Sequence, residues 1–446
     1  MAQPKIIVLD DDPTGSQTVH SCLLLTRWDV ETLRLGLRDS SPIFFILTNT
    51  RAMTPLQADQ RTREVCRNLK VAIAQEAVAE FLIVSRSDST LRGHYPVETD
   101  AIAEELGPFD AHFLTPAFFE GGRFTRDSIH YLVVNGVPTP VHETEFARDS
   151  VFAYRHSYLP DYVAEKTAGR IPADQVERFL LSDIRAGVHD RLLHLHGNQC
   201  VVVDAETQAD LNRFAADVLK AASQGKRFLF RSAASLLTAL AALPPQPVAP
   251  DAMATYTRDG KPGAIIVGSH VKKTTEQLNQ LLQEDRIVPI EVDVSHLLQD
   301  SPTQRQDLLQ HTLQQVYTAH QNGKTPVIFT SRQEITFPDT QTRLNFGVAV
   351  SSLLMDIVRG LPSDIGFLIS KGGITSNDVL SDGLALTAAR LLGQILPGVS
   401  VIRTGADHPQ FPNLPVVLFP GNVGDQFALA EVYRRLSHPV GVKLPG

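Results

Sequence analysis

The stretch KIIVL, residues 5–9, followed at once by DDDPTG, residues 10–15, is the clearest indication of the fold of this chain. An apolar run this short, bounded by acids, proline and glycine, is typical of a buried β-strand that ends in a loop. Similar runs rich in Val, Ile, Leu and Phe alternate with longer helical patterns, as parallel strands buried on both faces of a sheet do. The sequence therefore predicts an α/β fold of doubly wound, mainly parallel sheets.

Further strands are predicted on both sides of a proline-rich stretch. In the first half they span residues 43–48, 81–85, 111–114, 199–203 and 227–230, and in the second half residues 264–267, 288–292, 326–330, 366–369, 399–402 and 416–419. The clearest helix begins at Thr54-Pro55, where an N-cap residue precedes proline at the first helical position, and runs towards Glu80.

The length of 446 residues predicts two domains. Residues 243–263, LPPQPVAPDAMATYTRDGKPG, contain five prolines and show no periodic apolar face, which is typical of an interdomain linker. We therefore predict one domain over residues 1–243, a linker over 244–262 and a second domain over 263–446. The active site is expected in the cleft between the two domains.

The composition excludes several classes of protein. Hydrophobic residues make up 43% and charged residues 20%, as in ordinary globular proteins. A formal net charge of −8 predicts no nucleic-acid partner and no anionic membrane surface. Cys22, Cys66 and Cys200 are too far apart in sequence to suggest a disulfide framework or a zinc site. Because the N-terminus does not resemble a signal peptide and no apolar run is long enough to span a bilayer, we expect a cytoplasmic protein.

Loops after the first-half strands carry carboxylates, hydroxyls and guanidinium groups. Ligands of open α/β sheets bind beyond the carboxyl ends of the strands, so these loops are the informative ones. Carboxylates there can accept a hydroxyl proton or hold Mg²⁺, and Arg51, Arg92 and Arg123 can bind a carboxylate or a phosphate. The loops concerned are residues 10–15, 49–51, 86–94 and 115–123.

Glycine dominates the loops of the second half, at residues 268–270, 370–378 and 420–425. Glycine lets backbone N–H groups approach a ligand closely, and a following helix adds unpaired donors, which suits a polyphosphate. We expect Thr375 or Ser376 to be the N-cap of one such helix. The chain has no GxxxxGK[ST] motif and no GxGxxG after the first strand of either half, which argues against a P-loop or dinucleotide site.

Several motifs together resemble those of the four-carbon acid sugar kinases, which phosphorylate acids such as threonate, erythronate and 3-oxo-tetronate with ATP. They are Asp11-Asp12-x-Thr14-Gly15, Asn49-Thr50-Arg51, the run DSTLRG at residues 88–93, and Gly122-Arg123. The resemblance implies an N-terminal domain that binds the sugar acid and a C-terminal domain that binds ATP. Transferred motif by motif, it implies a substrate site of Asp12, Arg51, Ser87, Asp88, Ser89 and Arg92, and an ATP site of Ser269, Gly372, Gly373, Ile374, Thr375, Gly421 and Asn422.

Two motifs depart from the family pattern. The usual Gly-Gly-Glu-Thr is Gly372-Gly373-Ile374-Thr375 here, and the usual Lys-Ser-Gly-Asn-Phe-Gly is FPGNVG at residues 419–424. The glycines survive, which indicates a divergent subgroup that still binds nucleotide. We expect Mg²⁺ to be held through the ATP phosphates, and assign no metal ligand in the protein. The assembly is left open between a monomer and a homodimer.

The mechanistic hypothesis is phosphoryl transfer to a sugar acid hydroxyl. Arg51 and Arg92 fix the substrate carboxylate, and Asp12 or Asp88 orients or deprotonates the attacking hydroxyl. A phosphatase of the haloacid dehalogenase class is an alternative, because residues 7–14, IVLDDDPT, match a strand followed by Asp-x-Asp-x-Thr. Asp10 would then be the nucleophile and Asp12 the acid/base. A further alternative is a sensor that binds a sugar acid or nucleotide without chemistry.

Overall fold

The structure is a computed structural model that describes residues 4–298, 301–332, 335–337, 339–421 and 423–437. The chain divides into two compact units, Met1–Pro245 (unit 1) and Gln246–Gly446 (unit 2). Both are α/β structures, as predicted. Among the described residues, no helix is long and apolar enough to cross a membrane.

Unit 1 is built on a parallel sheet whose strands follow the order β2-β3-β1-β4-β11-β5-β10-β9. A separate antiparallel sheet has the order β6-β7-β8. The strands are β1 Lys5–Asp10, β2 Leu23–Leu25, β3 Ile43–Leu47, β4 Phe81–Arg86, β5 Ala111–Thr115, β6 Arg123–Arg126, β7 Ile129–Val134, β8 Val137–Pro140, β9 Glu177–Phe179, β10 Gln199–Val203 and β11 Phe228–Ser232.

Helices connect these strands and cover the parallel sheet. The helix predicted at Thr54-Pro55 is confirmed: Thr54 and Gln57 form a capping box, and the helix ends at Gln75. The helices are α1 Val30–Arg38, α2 Pro55–Gln75, α3 Val97–Leu106, α4 Leu159–Lys166, α5 Leu181–Ala186, α6 His189–His194, α7 Gln208–Ala222 and α8 Ala234–Ala241.

The sheet of unit 2 has the order β13-β14-β12-β15-β18-β17-β16. Its strands are parallel from β13 to β18, whereas β17 is antiparallel to both β18 and β16. The strands are β12 Ala264–Val267, β13 Ile287–Val292, β14 Thr325–Thr330, β15 Leu368–Lys371, β16 Ala388–Leu396, β17 Val399–Arg403 and β18 Pro415–Phe419. The helices are α9 Lys272–Leu281, α10 Pro302–Gln321, α11 Thr340–Arg359, α12 Gly373–Asp378 and α13 Ala428–Ser437.

The stretch predicted as a linker carries local structure and packs onto unit 2. It contains 3-10 helices at Pro250–Tyr256 and Arg258–Gly260. Met253 is fully buried in the core of unit 2. The side chain of Gln246 bonds to the backbone of Gln394 in β16, at 2.9 and 3.1 Å. Residues 246–260 therefore contribute to the packing of this unit.

Candidate active site

Three consecutive acids lie where β1 ends, near the middle of the unit 1 sheet. Asp10 is fully buried and Asp11 is 2% exposed, whereas the Asp12 side chain keeps 18% exposure. The backbone N–H of Thr14 donates to Asp12 Oδ1 at 2.8 Å. Of these three carboxylates, that of Asp12 is therefore the one best placed to reach a ligand.

Arg51 connects these acids to the neighbouring strand end. It lies in a 3-10 helix, Thr50–Ala52, directly after β3. Its guanidinium donates to the Asp11 carboxylate, through Nε at 3.2 Å and through Nη2, and to Asp12 Oδ2 at 3.2 Å. It also lies 4.0 Å from Asp88 Oδ1. Burial alone would raise the pKa of Asp12, but Arg51, the hydrogen bonds from Thr14 and the charge of Arg86 together outweigh burial and lower that pKa below its ordinary value.

The loop after β4 brings further predicted residues to the same sheet edge. Ser87 Oγ donates to Asp11 Oδ2 at 2.6 Å, and Arg92 Nε donates to Asp88 Oδ2 at 2.8 Å. Burial would raise the pKa of Asp88, but Arg92 and Arg51 together hold it well below its usual range. The Asp88 carboxylate is therefore ionised at neutral pH and accepts hydrogen bonds.

A small pocket, partly open to solvent, lies beside this cluster. Ser87, Asp88 and Arg92 line it, as does the cation Arg231, which no sequence motif indicated. The complete lining is Ser87, Asp88, Leu91, Arg92, Leu114, Pro116, Tyr162, Arg231 and Ser232.

Gly93, at the end of the DSTLRG run, makes this packing possible. Its φ of +125° favours glycine, and a Cβ atom there would lie 2.4 Å from Ser87 Oγ and 2.5 Å from Arg231 Nη2. Arg231 in turn donates to Glu98 Oε2 at 2.6 Å. Ser89 is buried nearby, and its carbonyl oxygen lies 2.7 Å from His130 Nε2. The motif therefore shapes the site as well as supplying its polar groups.

In unit 2 the predicted nucleotide residues of three loops lie close together around Ser269. A Cβ atom on Gly372 would lie 3.2 Å from Ser269 Cβ, and one on Gly421 would lie 3.9 Å from Ser269 Oγ. A Cβ atom on Gly268 would lie 2.4 Å from Thr375 Oγ1. Small residues are therefore needed where these loops approach each other.

The helix after Gly372 begins earlier than expected. Gly373 is its first residue and Gly372, with a φ of +116°, is its N-cap, so the prediction that Thr375 or Ser376 caps the helix is wrong. The glycine pair allows the turn to be completed before Thr375 is reached. Ile374 points outward and is 70% exposed. Asn422, the remaining predicted residue, lies outside the described residues.

Both units match known family models. Residues 6–240 match the model of a sugar-binding N-terminal domain, and residues 264–429 match that of a nucleotide-binding C-terminal domain. The chain belongs to the four-carbon acid sugar kinase family. A D-threonate kinase of Salmonella typhimurium is 25% identical over 444 residues, which cover 96% of this chain and 97% of that protein.

A second family member, a D-erythronate kinase of Heliobacterium modesticaldum, is 29% identical over 222 residues. That alignment covers 47% of each protein, so the chain matches about half the length of this relative. Crystal structures of proteins from Salmonella typhimurium and Haemophilus influenzae have TM-scores of 0.69 and 0.62, both at 18% identity. They cover 97% and 96% of this chain, and 98% and 100% of their own. These likenesses show the shared fold.

Family membership gives no support to the phosphatase or sensor alternatives, and the position of Asp10 argues against a phosphatase. Its carboxyl group is fully buried, and a Cβ atom on Gly15 would lie 2.0 Å from both of its oxygens. An ester phosphate could not reach this carboxyl group while Gly15 lies against it. Burial, which outweighs the attraction of Arg86, also raises the pKa of Asp10 to about 8 and so disfavours the nucleophilic carboxylate.

Arg123 differs from the other arginines near this candidate site. Its Nη1 donates to the carbonyl oxygen of Gly121 at 2.6 Å, but its buried Nε has no hydrogen-bond partner among the described residues. Within the described part of the chain, no carboxylate lies within 4.0 Å of its guanidinium. Burial lowers its pKa, and the charges of Asp88 and Arg92 act on it. The sequence indicated Arg123 as a possible anion ligand, but its lack of a counter-ion becomes visible only in the structure.

No described group of three or more His, Cys, Asp or Glu side chains is arranged to hold a metal ion. The acid cluster of unit 1 is instead compensated by arginine: Arg51 contacts Asp11 and Asp12, and Arg92 contacts Asp88. As it stands, this arrangement can bind and orient a small polar molecule.

Proposed function

We propose that this chain is an ATP-dependent kinase that phosphorylates a hydroxyl group of a small sugar acid. A four-carbon acid such as threonate, erythronate or 3-oxo-tetronate is the proposed acceptor, and its named relatives support this substrate class. Unit 1 would bind the acid and unit 2 the nucleotide, in agreement with the two family models that match them.

The main support for this proposal is that arginine side chains connect three loops of unit 1, each of which directly follows a β-strand. Arg51, after β3, contacts the acids after β1, while Arg92 and Asp88 come from the loop after β4. Such a site offers ionised carboxylates and cations within a small pocket. Those are the groups needed to hold a polyhydroxy acid by both its hydroxyl and its carboxylate groups.

In this proposal, the carboxylates act on the acceptor hydroxyl. The carboxylate of Asp12 or Asp88 accepts a hydrogen bond from the acceptor hydroxyl group and so directs the hydroxyl oxygen towards the phosphoryl group. Both have lowered pKa values, which suits an orienting role more than early proton removal. A loose phosphoryl-transfer transition state needs little base strength. Arg51 and Arg92 attract the substrate carboxylate, with Ser87 and Ser89 as neighbouring polar groups.

The nucleotide would be bound in unit 2 by the loops that meet at Ser269. Gly372, Gly373 and Gly421 let backbone N–H groups approach phosphate oxygens, and Thr375 and Ser269 add hydroxyl groups. The close packing of Gly268 on Thr375 and the room at Gly421 fit this use. Ile374 and Asn422 remain proposed contacts of the same site. Mg²⁺, bound through the phosphates, would neutralise their charge during transfer.

The test is ADP formation from ATP and Mg²⁺ with a panel of sugar acids, including threonate, erythronate and 3-oxo-tetronate. We expect ADP formation that depends on a four-carbon acid. Asp12→Asn and Arg92→Ala should each lower kcat/KM for the acid by about 100-fold or more. Arg155→Ala, whose side chain is 85% exposed, is the matched control and should retain wild-type kinetics.

Three other outcomes would contradict the proposal, each in a different way. Full kcat/KM in Asp12→Asn or Arg92→Ala would refute the corresponding assignment. Tight nucleotide binding without turnover across the whole panel would favour a sensor. Mg²⁺-dependent release of phosphate from a simple ester, without nucleotide, would favour a phosphatase.

A further inference from the structure

Lys371, the last residue of β15, is a fully buried lysine, with 0% of its surface exposed. Lysine side chains are almost never fully buried unless their charge is paired, because the ammonium group normally reaches water. The proposed function above does not use this residue. Its position nevertheless links two of the loops assigned to the nucleotide.

The ammonium group of Lys371 has neutral neighbours. Its Nζ donates to the carbonyl oxygen of Pro420 at 2.5 Å and lies 4.1 Å from the ring centroid of Phe419. In the described part of the chain, no carboxylate lies within 4.0 Å of it. The charged group that acts on it is Lys273 of α9, which carries the same sign. Among the described residues of this unit, no acid therefore balances the positive charge.

The two ends of Lys371 act on different loops. Its backbone leads directly into Gly372, whose φ of +116° starts one loop, and the N–H of Gly372 donates to the carbonyl oxygen of Phe419 at 2.9 Å. Its side chain binds Pro420, which starts the other loop, next to Gly421. A change at Lys371 would therefore alter the spacing of both loops at once.

We propose that Lys371 is a positioning residue for a nucleotide polyphosphate: it holds the loops at Gly372 and Pro420 together and supplies a buried positive charge that the phosphates balance. This inference rests on the proposed function, because it assumes that these loops bind nucleotide. The proposed function is thereby extended to Lys371, a buried residue that contacts both loops.

The missing counter-charge has a measurable consequence. Burial, with a smaller contribution from Lys273, lowers the pKa of Lys371 to about 7 in the free protein. Bound phosphates favour the ammonium form and raise this pKa. Lys371 therefore takes up a proton when nucleotide binds near neutral pH, and affinity falls as the pH rises above neutrality. Packing alone would not produce this proton uptake.

The experiment is calorimetric titration of the full chain with MgADP in two buffers of different ionisation enthalpy, slightly above neutral pH. For the wild type we expect net proton uptake on binding. Lys371→Met, which fills the same space without charge, should lose this uptake and bind MgADP at least about tenfold more weakly. Lys371→Arg, which stays charged, should lose the uptake but retain more affinity than Lys371→Met.

The outcomes separate this inference from the proposed function. If the wild type does not bind MgADP, the assignment of the nucleotide site fails. If it binds MgADP without proton uptake, or if Lys371→Met keeps both wild-type affinity and wild-type uptake, the inference about Lys371 is overturned and the nucleotide site stands. Thermal unfolding of each variant checks that it is folded. If Lys371→Met does not fold, the wild type and Lys371→Arg still decide the question.

Discussion

Gly15 lies directly against the carboxyl group of Asp10, so closely that a Cβ atom on Gly15 would be 2.0 Å from both carboxyl oxygens. Asp10 cannot yield, because it is fully buried at the end of β1. Gly15 closes the loop that carries Asp12, and its N–H donates to the Asp12 carbonyl oxygen at 2.9 Å. The contact thus fixes a proposed substrate ligand to the middle of the sheet.

Gly15→Ala should displace this loop. Because the added methyl group meets a buried side chain, we expect a loss of about 1 to 3 kcal/mol in the free energy of unfolding. Urea denaturation measures it, and kcat/KM for the acid should fall as Asp12 moves. Gly347→Ala is the control: a Cβ atom there meets nothing within 4 Å, and alanine inside helix α11 should leave the stability unchanged or raise it. Wild-type stability in Gly15→Ala would contradict the contact.

Asp10 should make stability fall as the pH rises. Burial raises its pKa from the ordinary value of 3.8 to about 8, so the folded protein keeps a proton that the unfolded chain releases between these values. Its contribution to stability is complete below about pH 4 and is lost as the pH rises through about 8, with a slope of at most about 1.4 kcal/mol per pH unit.

Asp10→Asn resembles the protonated form and should remove this dependence. Between about pH 6 and 8, the unfolding free energy of the variant should increase relative to that of the wild type as the pH rises. Asp88→Asn is the opposite control: the pKa of Asp88 is lowered, so its contribution is present above the ordinary value of 3.8 and is lost as the pH falls below it. If the difference in unfolding free energy between Asp10→Asn and the wild type does not change with pH, Asp10 does not hold a proton in the folded protein.

The interior strands of the parallel sheets were predictable because burial on both faces leaves an apolar run. The runs at Gln199–Val203 and Ala264–Val267 match the observed strands residue for residue. The antiparallel sheet β6-β7-β8 was missed because its strands are only partly buried and mix polar with apolar residues. A signal was present in Asn135-Gly136, whose φ values of 51° and 79° suit a tight hairpin turn.

The types of residue at the candidate site were readable from the loops, but their pairing was not. Arg51, Arg92 and Arg123 look alike in sequence, and only the fold gives acids to the first two. Likewise, Lys371 reads as an ordinary loop lysine until its neighbours in β18 are known. Charge compensation depends on residues far apart in the chain, which local patterns do not reveal.

Gly268→Ala should weaken nucleotide binding in unit 2. A Cβ atom there would lie 2.4 Å from Thr375 Oγ1 and 3.3 Å from Leu354 Cδ1, so the start of α12 must shift. We expect at least about a tenfold loss of affinity for MgADP, measured by calorimetry. Thr375→Ala removes the clashing atoms, so the double variant should bind more tightly than the sum of the two single losses predicts. Additive losses would show that the two residues do not clash.

Arg123 should act on the acid substrate and not on the nucleotide. With no carboxylate partner among the described residues and a buried, unpaired Nε, its guanidinium can gain from an incoming carboxylate the counter-ion that it lacks. Removing a hydrogen bond to a charged group costs about 1.5 to 3 kcal/mol, so Arg123→Met should raise the KM for the acid by about 10-fold to 150-fold, with the KM for ATP unchanged. Stability should change little, because an uncompensated buried charge is removed.

Arg126→Met, on the same strand but 52% exposed, is the control and should keep the wild-type KM for the acid. If Arg123→Met also kept it, the carboxylate would have to be bound by Arg51 and Arg92 alone, despite their existing acid partners.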